Sequence, residues 1–120
     1  MSNVRFIGLD VHKDSIVMSV AETGTAEAKV LGTFPNDINK VIKQFKKLSA
    51  DVSLLRVCYE AGPTGFGLYR RLKEAGIDCI VVAPSLVPQK AGLRVKTDRR
   101  DSKKLAHYLR SGDLTQVWVP

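Results

Sequence analysis

Apolar residues in the first third of the chain come in short runs without a helical period. Val4–Val11 is one such run, closed by the polar cluster His12-Lys13-Asp14-Ser15, and it predicts a buried strand. Ser15–Ala21 follows after that polar turn, so an antiparallel hairpin is expected. Thr23-Gly24-Thr25 turns the chain toward a weaker third strand, Ala28–Phe34. The period then changes. Between Asp37 and Ala50, Ile38, Val41, Ile42, Phe45 and Leu48 recur at helical spacing, with Lys40, Lys43, Lys46 and Lys47 on other faces and Asn36 or Asp37 as N-cap.

Leu54–Glu60 reads as a fourth strand that ends on an acid. The loop Ala61–Gly65 leads to a helix capped by Thr64, running to Ala75, with Leu68 and Leu72 inward and Gly76 just past its end. Asp78–Ala83 is a fifth strand stopped by Pro84, and Ser85–Thr97 reads as a mobile basic loop. A last helix spans about Asp98 to Ser111, ended by Gly112. The order is βββαβαβα: a meander, then alternating helices and strands, which gives an α/β fold with a mixed sheet and helices on its faces.

Composition narrows this little. One hundred and twenty residues, 44% of them hydrophobic, suit a single domain over 1–120. Apolar runs are too short to span a bilayer, and the N-terminus lacks a signal-peptide pattern, so a cytoplasmic protein without a membrane partner is expected. Cys58 and Cys79 sit in separate strand-like runs and read as buried thiols.

Charge changes the picture more. The net charge is +7, and residues 87–110 hold Lys90, Arg94, Lys96, Arg99, Arg100, Lys103, Lys104 and Arg110 against Asp98 and Asp101. Such a patch favours a polyanion such as nucleic acid, ahead of the bland alternative of a solvated helix face.

Asp10 is the oddity of the first strand. It caps the turn, pairs with a buried Arg, or holds a metal ion, and the choice depends on whether other acids converge on it. At about 100° per residue, Asp98, Asp101, Ser102, Leu105 and Leu109 share one arc of the last helix, with most of its bases opposite. The leucines must face the sheet, so the aspartates do as well. Capping explains Asp98 well and Asp101 only in part. Asp10 lies near the end of its strand and Glu60 ends its own, and the carboxyl ends of these strands share one sheet edge if the strands are parallel. Four carboxylates in one cleft need hard divalent cations such as Mg²⁺, which also suit phosphoryl transfer.

The strings Gly8-Leu9-Asp10-Val11-His12-Lys13, Tyr59-Glu60-Ala61-Gly62-Pro63-Thr64-Gly65 and Lys96-Thr97-Asp98-Arg99-Arg100-Asp101-Ser102 resemble the N-terminal domain of the DEDD transposases of bacterial insertion sequences, relatives of the pilin-gene invertases. The element order resembles the ribonuclease-H-like fold, in its RuvC-like form. The resemblance covers essentially the whole chain. It implies that Asp10, Glu60, Asp98 and Asp101 are the catalytic, metal-binding tetrad, loaded with Mg²⁺ or Mn²⁺. It further implies cleavage and joining of DNA strands in a prokaryotic cytoplasm, a homo-oligomeric full-length protein, and in some members guidance by an RNA from the element. Lys13, Lys90, Arg94, Lys96, Arg99, Arg100, Lys103 and Lys104 are the bases expected to hold nucleic acid. Family members continue into a domain that supplies a nucleophilic serine. This chain stops at Trp118-Val119-Pro120 and is expected to be cut before it.

Two other functions compete. A sugar-kinase-like ATPase half also starts with a Gly-x-Asp strand and a hairpin, but His12-Lys13-Asp14 lacks its phosphate-binding glycines. A non-catalytic nucleic-acid-binding or dimerisation module would keep the acids only as caps and ignore Mg²⁺. His12 is read either as a phosphate contact or as part of a solvated turn. His107 falls on the basic side and is not proposed as a ligand.

Overall fold

The computed structural model describes residues 4–62, 65–83 and 98–119, with residues 98–101 described by their backbone alone. The elements follow the expected order: β1 (Arg5–Val11), β2 (Ser15–Glu22), β3 (Lys29–Pro35), α1 (Ile38–Leu48), β4 (Leu55–Glu60), α2 (Gly67–Glu74), β5 (Asp78–Val82) and α3 (Asp98–Ser111). The five strands form one sheet in the order β3-β2-β1-β4-β5. β1 and β2, and β2 and β3, pair antiparallel, while β1, β4 and β5 run parallel. Each parallel step crosses over through a helix, as parallel pairing requires.

Period-two alternation divides the strands between two cores. Ile7 and Leu9 of β1, Ile16 and Met18 of β2, Leu55, Val57 and Tyr59 of β4, and Cys79 and Val81 of β5 are buried on one face against Val41 and Phe45 of α1 and Leu72 of α2. Side chains as large as Phe45 contribute about 1.5–3 kcal/mol each on full burial. The other face is lined by smaller groups, Ala21, Ala28 and Cys58, and is covered by α3 through Leu105 and Ala106.

Three local readings are corrected or extended. Of the two candidate caps for α1, Asp37 is the one: its carboxylate accepts from the N–H groups of Asn39 at 2.9 Å and Lys40 at 3.4 Å. Asn36 instead donates from Nδ2 to the His12 carbonyl at 2.7 Å, tying the first hairpin turn. α2 starts at Gly67, later than a Thr64 cap implies, and Phe66 occupies its N-cap without a side-chain hydrogen bond. Gly65 has φ 72° and its N–H donates to the Gly62 carbonyl at 2.9 Å. Thr64 and the basic segment 85–97 lie outside the described residues.

The segment after α3 extends the β5 edge, which the sequence did not suggest. Gln116 bridges antiparallel to Val82, and the Val117 N–H donates to the Val81 carbonyl at 2.6 Å. Val117 and Val119 pack on the larger core, while Trp118 between them is 81% exposed. Among the described residues no helix is long and apolar enough to cross a membrane.

Candidate active site

Alternation puts Gly8 and Asp10 of β1, and Cys58 and Glu60 of β4, on the face that α3 covers. The parallel register pairs Gly8 with Cys58 and Leu9 with Tyr59. One step further sets Asp10 beside Glu60 at the carboxyl edge, where adjacent strands lie about 4.8 Å apart. Both residues are half-buried. The Asp10 carboxylate lies 3.0 Å from Nε2 of His12, two residues along on the same side of the chain. Burial pushes the Cys58 thiol well above its ordinary range, and neighbouring Cys79 and Glu60 add to the effect.

Tyr59 faces the other way and fastens the loop that leaves Glu60 to α2. Its hydroxyl donates to the Gly65 carbonyl at 3.2 Å and accepts from the Tyr69 N–H at 3.1 Å.

α3 reaches this edge because Gly8 has no side chain. A Cβ there would collide with the Ser102 carbonyl oxygen and lie 2.6 Å from the Ala106 nitrogen, both backbone atoms. Buried Ser19 and Ser102 share a hydrogen bond of 2.7 Å across the same contact, and the Cys58 thiol donates to the Leu105 carbonyl at 3.6 Å. Along α3 the contacts move from Gly8 and Ser19 at Ser102 to Phe6 and Ala21 at Ala106. The helix thus runs against the direction of β1, and its first turn, with positions 98 and 101, lies at the Asp10 end. Asp98 and Asp101 are placed by backbone only, as are Arg99 and Arg100. Among the described residues no three His, Cys, Asp or Glu side chains gather as a metal site. The two described acids present hard oxygen donors side by side, which fits Mg²⁺ or Mn²⁺ better than a soft metal.

The predicted bases divide. Lys13 is exposed on the turn after β1. Lys103 donates to Glu27 at 2.9 Å, and Lys104 is half-buried. Lys90, Arg94 and Lys96 lie outside the described residues. The far end of the basic side of α3 clamps the β2–β3 connection: Arg110 donates to the carbonyls of Glu22 at 3.0 Å and Ala26 at 2.6 Å. His107 accepts the Ala28 N–H on Nε2 at 3.1 Å, and the Arg110 guanidinium lies 3.0 Å from its Nδ1. Burial, and then neighbouring Arg110, lower its pKa. This role for His107 and the His12 contact to Asp10 were both missed from sequence. Only the i, i+2 spacing of His12 from Asp10 hinted at either.

A protein-family model described as "Transposase", for DEDD transposases of the IS110 type, matches residues 7–120. The chain belongs to this family. It is 47% identical over 116 residues to a putative transposase, y4qE, of Sinorhizobium fredii, covering 96% of this chain and 30% of that protein. It is 37% identical over 106 residues to the transposase for insertion sequence element IS1533 of Leptospira borgpetersenii, covering 88% of this chain and 31% of that one. The chain therefore spans about a third of the curated relatives it matches. T. thermophilus RuvC, solved in complex with a Holliday junction substrate, superposes with a TM-score of 0.58 at 12% identity, over 95% of this chain and 99% of RuvC. The large terminase nuclease of the thermophilic phage G20c gives 0.54 at 18% identity, over 93% of this chain and 57% of the nuclease. The fold of this transposase-family domain is ribonuclease-H-like.

Proposed function

We propose that this domain is the catalytic part of a transposase that cleaves and joins DNA strands with a divalent cation, Mg²⁺ or Mn²⁺, held by Asp10, Glu60, Asp98 and Asp101. The observation that carries it is the register. Two acids from parallel strands stand side by side on one face of one edge, and the first turn of α3 runs over that same edge. The cation would supply charge neutralisation at the phosphate and activation of the attacking oxygen. The chain's own part is to hold the acids rigidly. His12 orients the Asp10 carboxylate, Tyr59 fastens the loop behind Glu60, and Gly8 lets α3 come close enough to add its two aspartates. In strand cleavage, the oxygen of water or of a hydroxyl attacks phosphorus, one phosphorus–oxygen bond breaks, and the departing oxygen takes a proton.

Lys13, Lys90, Arg94, Lys96, Arg99, Arg100, Lys103 and Lys104 hold the DNA backbone. In the longer proteins of the family this domain acts in a homo-oligomer in the cytoplasm, and a guide RNA from the element is one way to choose the target. The test is a crystal soaked in Mn²⁺. Anomalous density between Asp10 and Glu60, lost in Glu60→Gln, is the expected result. Density that is absent from the wild type, or that survives in Glu60→Gln, leaves the alternative of a non-catalytic nucleic-acid-binding or dimerisation module.

A further inference from the structure

α1 and α2 pack side by side on the sheet face opposite α3. Their outer surface is strongly basic. α1 carries Lys40, Lys43, Lys46 and Lys47 with no acid between Ile38 and Leu48, and all four are exposed. At about 100° per residue they occupy one arc opposite the buried Val41 and Phe45. α2 adds exposed Arg70, Arg71 and Lys73 against Glu74. Among the described residues only Arg71 has a carboxylate partner here, Glu74 at 3.7 Å.

A solvated helix ordinarily mixes signs, and like charges three or four residues apart cost about 0.2–0.5 kcal/mol per pair. Lys43 stands in that relation to Lys40, Lys46 and Lys47. Lys46 and Lys47 gain from the helix dipole at the C-terminal turn. The N-cap carboxylate of Asp37 precedes Lys40 by three residues, and Lys43 has no such compensation. Seven bases against one acid, gathered on two touching helices, complement a phosphate backbone.

We propose that the outer face of α1 and α2 is a second DNA-binding surface, which holds the backbone of a duplex segment separate from the one presented to Asp10 and Glu60. It lies across the sheet from the acids, so one straight duplex cannot lie on both. The inference rests on the reading of DNA as the substrate. Binding there is independent of sequence, because lysines on a convex helix face reach phosphates and not base edges.

The test compares the whole chain with two variants: Lys40, Lys43, Lys46 and Lys47 all changed to Gln, and Lys90→Gln with Arg94→Gln and Lys96→Gln. Binding of a short duplex is followed between about 50 and 200 mM salt, with stoichiometry at saturation from sedimentation. The wild type is expected to take two duplexes and the four-lysine variant one. The variant should lose at least about tenfold in affinity and about 3 to 4 in the log–log salt slope, at about 0.9 per phosphate. It should melt as the wild type does and keep its response to Mg²⁺. A four-lysine variant with unchanged affinity, slope and stoichiometry overturns the proposal, as does a wild type that binds one duplex and loses it only when Lys90, Arg94 and Lys96 are changed. Clear preference of this face for duplex RNA overturns the choice of DNA. Loss in the four-lysine variant with no change in the other supports this surface while removing DNA from the acid edge.

Discussion

The two faces of the sheet are built on opposite plans. Under α1 and α2 the strands offer Ile7, Leu9, Ile16, Met18, Val57 and Tyr59, large side chains that fill a thick apolar layer. Under α3 they offer Gly8, Ser19, Ala21 and Cys58, and the helix answers with Ser102 and Ala106. The first plan separates helix and sheet by bulky side chains. In the second, the backbone of α3 lies so close to β1 at Gly8 that a single methyl does not fit. Stability is concentrated on one face and positional precision on the other. The acids belong to the precise face.

That division is open to attack from both sides. The largest loss of stability is expected from Phe45→Ala, since Phe45 is fully buried between α1 and the sheet. It should cost about 3–5 kcal/mol in denaturant unfolding, yet the folded fraction should still be stabilised by Mg²⁺. Gly8→Ala reverses the pattern. Overpacking against the Ser102 carbonyl and the Ala106 nitrogen should cost about 1–3 kcal/mol, and the shift of α3 should abolish the Mg²⁺ response. If Gly8→Ala keeps its full response, the close seat of α3 is not needed for a cation to bind.

A smaller effect is expected with pH. The neutral His107 ring accepts the Ala28 N–H, and its pKa is lowered by burial and by Arg110, so the unfolded chain binds the proton more readily. The site therefore contributes its full stability above the unfolded pKa of about 6.5 and loses it as pH falls below that value. Lys103, Arg110 and Glu27 are the charged groups around it. Melting curves of His107→Gln should lose less on acidification than those of the wild type. Equal losses would mean that the hairpin clamp is not held by this ring.

Much of this was legible in the chain. Strand runs and helical periods laid out the five strands and three α-helices in order, because each face buries a clean pattern: alternating in β1 and β4, three-and-four in α1. The placement of Asp10 and Glu60 on one face was legible for the same reason. Asp10 lies near the end of one apolar run and Glu60 ends another, and parity decides which face they share. What escaped depended on partners distant in sequence. Nothing near Gly8 says that Ser102 will lie over it, and nothing near His107 points to the backbone of Ala28. Counting charge along the chain also left out a surface. Residues 87–110 hold most of the net excess, but α1 and α2 form a second basic surface that acids elsewhere cancel in the total. The pairing of residues 115–117 with β5 was hidden because their apolar positions are few and alternate over so short a stretch.

The most direct test of Asp10 and Glu60 as ligands is four melting curves: the wild type and Asp10→Asn, each with and without Mg²⁺. A cation bound only by the folded protein adds about 2.7 kcal/mol at a hundredfold excess over its dissociation constant. Asp10→Asn keeps the shape of the side chain and removes its charge, so the wild type should rise clearly in Mg²⁺ while the variant rises little. Equal gains in the two proteins would contradict a metal site at Asp10 and leave that carboxylate as a partner of His12 at the end of its strand.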